Sequence, residues 1–437
     1  MLSLSAMTLS IITLGCSKNT VDSEHLLALL PKGSYSIVEP GSRADVLLVN
    51  TCGFIGDAKE QSIEAVLEAV EAKKAGIVGR VIVFGCLSQR YEAELREEIP
   101  EVDGWFGARD LAPVARALGF EPVCGEELRV LTDPSLPYAF LKISEGCDRR
   151  CSYCAIPYIR GPHRSVPFER LETEAEELAS KGVRELVLIA QDSTYYGLDI
   201  YGRRALAELL RRLSAVPGIE RLRVHYSYPD DFPEDVLDEM ASNPKVCKYI
   251  DIPLQHISDG VLHNMHRGVT GAWTRALVKR MREKVPGVTL RTTFIVGHPG
   301  EGEKEFQELL DFVREARFDR MGAFAYSEED GTWGAAHLED SVPAEEKQRR
   351  MDVLMSIQAE ISSSSCEARV GGVELVLADA VRDGFLVCRG EADSPEVDGE
   401  ISVKVPEGCS ASEFVGKFLS VRITGASDYD LEGEIVL

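Results

Sequence analysis

No stretch of this 437-residue chain approaches the roughly 18 uninterrupted apolar residues that a membrane-spanning helix needs. Cations are scarce: 48 Lys plus Arg stand against 72 Asp plus Glu, a formal charge of −24. That deficit excludes a general nucleic-acid coater, because phosphate binding needs an excess of cations. An acidic surface suits a basic protein partner instead. The opening MLSLSAMTLSIITLGC ends like a lipoprotein signal, but no Lys or Arg precedes Lys18 and Thr13 stands three residues before Cys16. A signal peptide carries cations ahead of its apolar run. The run 7–14 is therefore read as a buried first strand, with Met1 or Met7 as the natural start, and a cytoplasmic protein is expected. Repeats and low-complexity tracts are also lacking, and the length suggests two to four domains.

The cysteine count is odd, 11 in all, which argues against a disulfide framework and towards metal or redox work. Cys147, Cys151 and Cys154 are tightly clustered, whereas Cys16, Cys52 and Cys86 are widely spaced. Cys124, Cys247, Cys366, Cys388 and Cys409 follow no pattern and read as small, partly buried side chains.

Hydrophobic runs at 8–14, 45–50 and 81–84, alternating with amphipathic stretches at 21–30, 57–73 and 89–98, predict a doubly wound parallel sheet. A second series of strands is expected at 140–144, 186–190, 222–226, 250–254, 290–296 and 321–326. Helical stretches such as 167–181, 203–214, 271–284 and 303–316 separate them, so the series reads as a partial (βα)6 barrel. A polar helix at 343–361 and a short serine linker at 362–365 follow. Short strands at 374–379, 384–389, 399–405, 418–425 and 431–437 then predict a small all-β domain. The fold class is thus multidomain α/β, with domains over 7–130, 133–365 and 366–437.

The sharpest chemical signal is Cys147-Asp148-Arg149-Arg150-Cys151-Ser152-Tyr153-Cys154, a C-x3-C-x2-C loop directly after a strand. Three thiolates can hold three irons of a cubane and leave the fourth without a protein ligand, the open position a metal needs to bind a small molecule. A zinc knot completed by His163 is the alternative, while a simple ferredoxin needs a fourth local Cys that is not there. With Tyr153 before its last Cys, the loop resembles that of the radical S-adenosylmethionine superfamily, whose partial barrel matches the strand–helix count. The resemblance implies a 4Fe-4S cluster that binds S-adenosylmethionine and splits it to a 5′-deoxyadenosyl radical, inside a barrel that shields the radical from water.

Cys16, Cys52 and Cys86 each follow a predicted strand. Carboxyl ends of parallel strands share one edge, where ligands bind, so these thiolates either converge on a second cluster or sit at strand ends by chance. Leu14-Gly15-Cys16-Ser17-Lys18-Asn19-Thr20-Val21-Asp22-Ser23-Glu24, Asn50-Thr51-Cys52-Gly53-Phe54 and Phe84-Gly85-Cys86 resemble motifs of the methylthiotransferases. So do Ser144-Glu145-Gly146-Cys147, Arg160-Gly161-Pro162, Ala190-Gln191-Asp192 and Ile252-Pro253-Leu254-Gln255-His256. Gly297-His298-Pro299-Gly300-Glu301 is similar to the family's late turn, where Phe is commoner than His298. The likeness spans essentially the whole chain, including a C-terminal TRAM-type domain. It implies a second 4Fe-4S cluster on Cys16, Cys52 and Cys86 that supplies sulfur, and one S-adenosylmethionine each for the methyl group and the radical. It also implies cofactor contacts from Tyr153, Gly297 and Pro299, and a small electron donor such as flavodoxin or ferredoxin. No side chain is assigned as catalytic acid, base or nucleophile.

Within that family some enzymes modify tRNA adenosine and one modifies an aspartate of small-subunit ribosomal protein twelve. Cys16-Ser17-Lys18-Asn19-Thr20-Val21-Asp22 resembles the ribosomal-protein branch. Residues 366–437 hold six Lys plus Arg against six Asp and nine Glu, so 6 − 15 gives −9. Such a domain repels phosphate and attracts a basic protein, unless it is simply a solvated surface. Direct nucleic-acid binding is not expected. Arg149, Arg150, Arg160, His163 and Arg164 form a basic island that reads as solvated loop cations or as a guide for an electron donor or acidic loop. Tyr195, Tyr196 and Trp333 read as packing residues. The rivals are a tRNA methylthiotransferase and a non-enzymatic zinc or electron-transfer protein.

Overall fold

The computed structural model describes residues 6–123, 125, 127–406 and 408–436. The start at Met1, Cys124 and the final residue of the strand expected at 431–437 lie outside the described residues. Two compact units divide the chain. The first is Met1–Asp133 with Glu145–Arg149 and Cys154–Arg164, and the second is Pro134–Ser144 with Arg150–Tyr153 and Ser165–Leu437.

The first unit runs β1 (Met7–Thr13), α1 (Ser17–Ala28), β2 (Tyr35–Val38), β3 (Ala44–Thr51), α2 (Gly56–Lys74), β4 (Val78–Gly85), α3 (Cys86–Glu98) and β5 (Gly104–Phe106). Its strands are all parallel, in the order β2-β1-β3-β4-β5. Residues 46–49 of β3, Val-Leu-Leu-Val, are all buried. Val46 and Leu48 pack with Leu26 and Leu27 of α1, while Leu47 and Val49 pack with Val66 and Val70 of α2. Burial on both faces is why this strand is a continuous apolar run rather than an alternating one. The doubly wound sheet expected from the sequence is present. Its building direction reverses between β1 and β3, and the crevice that opens at the carboxyl ends of strands at such a reversal is where ligands bind.

The second unit begins with β6 (Tyr138–Lys142), β7 (Glu185–Ile189), β8 (Arg221–Val224), β9 (Val246–Asp251), β10 (Thr289–Val296) and β11 (Arg320–Ala325). These form a six-stranded sheet in sequential order, parallel throughout. Helices such as Phe168–Ser180, Leu206–Ser214, Gly271–Lys284 and Glu303–Ala316 connect the strands, which gives the expected partial barrel. One expectation fails. The serines at 362–365 are not a linker but the last turns of a helix over Ala344–Glu367. Ile361, Ser362 and Cys366 are buried, and Gln358 Nε2 donates to Ser362 Oγ at 3.1 Å. Tertiary burial on one face of the helix overrides the weak turn preference of serine.

The closed C-terminal barrel follows: β12 (Val373–Arg382), β13 (Phe385–Arg389), β14 (Ile401–Lys404), β15 (Phe418–Ala426) and β16 (Leu431–Ile435), in the order β12-β13-β14-β16-β15. Val376, Leu386, Ile401, Val421 and Leu431 fill it. It covers the amino-terminal ends of β7–β11 through buried ion pairs. Glu185, fully buried at the start of β7, accepts from Arg223 Nε at 2.9 Å and from Arg389 Nη1 at 3.1 Å. Burial alone would raise its carboxyl, but Arg389, Arg223 and Arg221 pull it down to about 2. Asp393 receives Arg320 and Arg369, each at 2.7 Å, and Tyr249 Oη donates to Asp398 at 2.6 Å. Removing one partner from such a buried pair typically costs about 3–5 kcal/mol, because it strands a charge away from water.

Candidate active site

In the first unit the three widely spaced cysteines come together at the carboxyl edge of the sheet. Cys16 is the N-cap of α1, Cys52 follows β3 and Cys86 is the first residue of α3 directly after β4. The position of a Cβ on Gly15 would lie 2.8 Å from Cys52 Cβ and 3.0 Å from its Sγ. Gly15 also has a φ of +93°, so a side chain there would be strained and would collide with Cys52. At Gly85, φ is +113° and a Cβ would meet Asn50 Oδ1 at 2.5 Å. Burial pushes the Cys86 thiol up to about 11, opposed by Arg160 and reinforced by Cys16 and Cys52 close by. The Cys52 thiol is raised chiefly by burial. A bound metal would invert that balance, because a coordinating thiol gives up its proton.

A polar scaffold holds this edge. Asn19 Nδ2 donates to Leu14 O at 2.7 Å and Thr51 O at 3.2 Å, tying the ends of β1 and β3. Asn50 Nδ2 returns to Asn19 O at 2.8 Å and to Ser23 Oγ at 3.0 Å. Glu24, also buried, receives Arg129 Nη2 at 2.6 Å and Thr132 N at 3.0 Å. Arg160, read from the sequence either as a solvated loop cation or as a guide for an electron donor or acidic loop, is 4% exposed. Its Nη1 donates to Asp22 Oδ2 at 2.5 Å, and its Nη2 to Asn19 Oδ1 at 2.7 Å and Cys86 Sγ at 3.1 Å. Asp22 leads in keeping Arg160 charged against the pull of burial. The basic island therefore splits: Arg160 and His163 are buried, Arg149 is half-buried, and Arg150 and Arg164 are exposed.

The loop at 146–154 follows β6. Cys147, Cys151 and Cys154 lie within eight residues of one another in sequence and all are half-buried. Gly146 has a φ of +76°, and a Cβ there would lie 2.1 Å from Pro162 O, so only glycine opens this loop. Cys147 N donates to Gly161 O at 3.0 Å, Arg149 N to Cys147 Sγ at 3.4 Å, and His163 N to Asp148 Oδ1 at 3.0 Å. In the second unit, Ser152 N donates to Met265 O at 3.0 Å and Arg267 Nη1 to Cys151 Sγ at 3.4 Å. Among the described residues no three Cys, His, Asp or Glu side chains are gathered as ligands for one metal ion.

Tyr153 meets the late glycine–proline turn through His298, with ring centroids 6.2 Å apart. His298 also contacts Tyr326 edge-on at 4.9 Å, so it packs as an aromatic, and burial pushes its imidazole down to about 4. Glu301 organises the turn. It accepts from Gly297 N at 2.7 Å and Arg350 Nη1 at 3.0 Å, and lies 3.6 Å from His256 Nε2. Asn264 Nδ2 holds Pro299 O at 3.1 Å. Tyr196 is fully buried, whereas Trp333 is 39% exposed and stacks on His337. Sequence reasoning missed Arg267 and the inward role of Arg160. Their sulfur partners lie 116 and 74 residues away, beyond any local pattern.

Residues 8–107 match the Uncharacterized protein family UPF0004, residues 141–313 the Radical SAM superfamily and residues 370–436 the TRAM domain. The chain is 50% identical over 429 residues to the ribosomal protein uS12 methylthiotransferase RimO of Porphyromonas gingivalis, covering 98% of each. It is 48% identical over 435 residues to the protein of that name from Bacteroides fragilis, covering 98% of this chain and 99% of the other. Among solved structures, the radical S-adenosylmethionine methyltransferase TsrM from Kitasatospora setae aligns with a TM-score of 0.57 and 16% identity, over 95% of this chain and 87% of that one. That likeness speaks for the fold.

Proposed function

Because the chain belongs to the RimO family of radical S-adenosylmethionine methylthiotransferases, we propose that it converts a C–H bond on the β-carbon of an aspartate in ribosomal protein uS12 to C–S–CH3. Cys147, Cys151 and Cys154 hold one 4Fe-4S cluster, and Cys16, Cys52 and Cys86 hold the second. When bound, the first cluster supplies the electron that cleaves S-adenosylmethionine and the second supplies sulfur. The thiolates fix the metals, Asn19 and Arg160 brace the strand-end edge, and the turn held by Glu301 sets Gly297, Pro299 and Tyr153 against S-adenosylmethionine. No side chain needs to move a proton in this reading. The domains are drawn at 7–130, 133–365 and 366–437, the last boundary falling in the final turn of the Ala344–Glu367 helix, and the enzyme works in the cytoplasm with a flavodoxin- or ferredoxin-like donor.

The observation that carries the two-cluster reading is the meeting of Cys16, Cys52 and Cys86 at one sheet edge, in a chain that also bears the three-cysteine loop. The substrate reading draws on charge. Of the six cations in the C-terminal domain, Arg389 and Arg369 are paired with Glu185 and with Asp379, Glu374 and Asp393 of the domain itself. Setting those two cations and three carboxylates aside leaves 4 − 12, or −8, so the remaining surface stays acidic and favours a basic protein.

Anaerobic reconstitution is expected to give about eight irons per chain, the content of two cubanes. Replacing Cys147, Cys151 and Cys154 together should leave about half of that, and zinc in place of iron would refute the assignment. A competition between uS12 and tRNA, read by mass spectrometry after anaerobic reduction with S-adenosylmethionine and sulfide, tests the substrate. A methylthio gain on a peptide aspartate supports the proposal. A gain on tRNA adenosine would overturn the substrate while keeping both clusters.

A further inference from the structure

Eight arginines are buried among the described residues: Arg129, Arg160, Arg221, Arg223, Arg267, Arg320, Arg350 and Arg389. Seven of them have a carboxylate within 4.0 Å: Glu24, Asp22, Glu185, Glu185, Asp393, Glu301 and Asp379 in that order. Arg267 has none among the described residues. A buried cation without an anion is costly, so what surrounds Arg267 must offset its charge in another way. Its Nη2 donates to Pro253 O at 2.7 Å, and its Cζ lies 4.0 Å from the centre of the Tyr228 ring. Its Nε has no partner among the described residues. Its Nη1 donates to Cys151 Sγ at 3.4 Å, and Tyr228 Oη lies 3.8 Å from the same sulfur. The one contact that becomes anionic when the site is loaded is that thiolate.

We infer that Arg267 is a positioning residue for the loop cluster: clamped by Pro253 and Tyr228, its guanidinium is the counter-ion of the Cys151 thiolate and holds the cluster at a higher reduction potential than the thiolates alone would set. The inference rests on the reading that the loop thiols carry a cluster. The physical reason is simple. Reduction adds one negative charge to the cluster, and a fixed cation in a dry site favours the more negative state. Hydrogen bonds to the sulfurs act in the same direction. The carboxylate-paired arginines cannot do this to the same extent, because their charge is already matched.

The test is a redox titration followed by electron paramagnetic resonance, on full-length chain with Cys16, Cys52 and Cys86 replaced by Ala, so that the loop cluster alone reports. Arg267→Gln should make the cluster harder to reduce by at least tenfold in the equilibrium constant, about 59 mV for a one-electron couple. Arg267→Lys, which keeps the charge without the fork, should move it in the same direction but less. Iron is measured on every sample, and folding is followed by circular dichroism. If the variants hold about four irons and their potentials match the parent, the inference is overturned and the cluster reading stands. If the parent itself binds no iron, it is the cluster reading that fails. If Arg267→Gln loses its iron, the lysine variant decides. Should both variants fold but stay iron-free, Arg267 is an assembly residue and the tuning role is refuted.

Discussion

The two ends of the partial barrel treat buried arginines differently. At the amino-terminal end, Arg223, Arg320 and Arg389 are each matched by Glu185, Asp393 or Asp379, and the ionic layer is balanced within itself. At the carboxyl end, Arg350 is likewise matched by Glu301 in the turn after β10, but Arg267 faces Cys151 and an aromatic ring with no carboxylate in the described residues. A balanced layer serves attachment, since it is complete as folded. An unbalanced cation leaves a place for an anion that arrives later. Among the buried arginines of the described residues it is Arg267 alone whose charge no carboxylate closes, and it stands beside the loop proposed to carry a cluster.

Four substitutions or conditions sharpen or break this contrast, beginning with the largest effect. Gly146→Val forces a side chain onto Pro162 O, and is expected to abolish methylthiolation and remove about half of the bound iron. An unchanged iron count would show that the loop does not depend on this conformation. Arg389→Ala should instead destabilise the chain by about 3–5 kcal/mol in urea unfolding while leaving the iron content of refolded protein unchanged. Loss of iron on this variant would erase the distinction between the two ends.

The third test uses pH. Glu185 is held at about 2 in the folded chain against its ordinary 4.5. A depressed carboxyl contributes stability that is fully present above about 4.5 and is lost as pH falls towards about 2. The difference in unfolding free energy between the native chain and Glu185→Gln, on the order of 3 kcal/mol at neutral pH, should therefore shrink through that window. A difference independent of pH would show that Glu185 is not held ionised by its arginines. The smallest effect is expected for His298→Phe, which keeps the edge contacts to Tyr153 and Tyr326. A change in unfolding free energy below about 1.5 kcal/mol, as for other shape-conserving swaps, would agree with an aromatic packing role.

The strands that build each sheet were legible because they are buried on both faces and therefore uninterrupted in hydropathy, as residues 46–49 of β3 are. β2 and β5 were not. Ser36 and Ile37 at the centre of β2 are exposed, and β5 is three residues long, so neither has a pattern to read. The serines at 362–365 misled because their helix is specified by burial of Ile361 and Cys366, not by their own preference. The strand-end positions of Cys16, Cys52 and Cys86 could be read from hydrophobic runs, since parallel connectivity puts those ends on one edge. The arginines behind the sulfurs could not. Arg160 reaches Cys86 only after the sheet has formed, and in sequence it is one cation among several on a loop.

The helix over Ala344–Glu367 contains neither proline nor glycine and runs unbroken to within a few residues of β12. Sharp bends in helices have identifiable causes such as proline or glycine pairs, and none is present. In mechanical terms it is a strut without a hinge, docked beside β11 and fastened at its far end by the ion pairs of Arg320 and Arg369 with Asp393. The C-terminal barrel is thereby joined to the larger barrel through a continuous helix and not through a swivel.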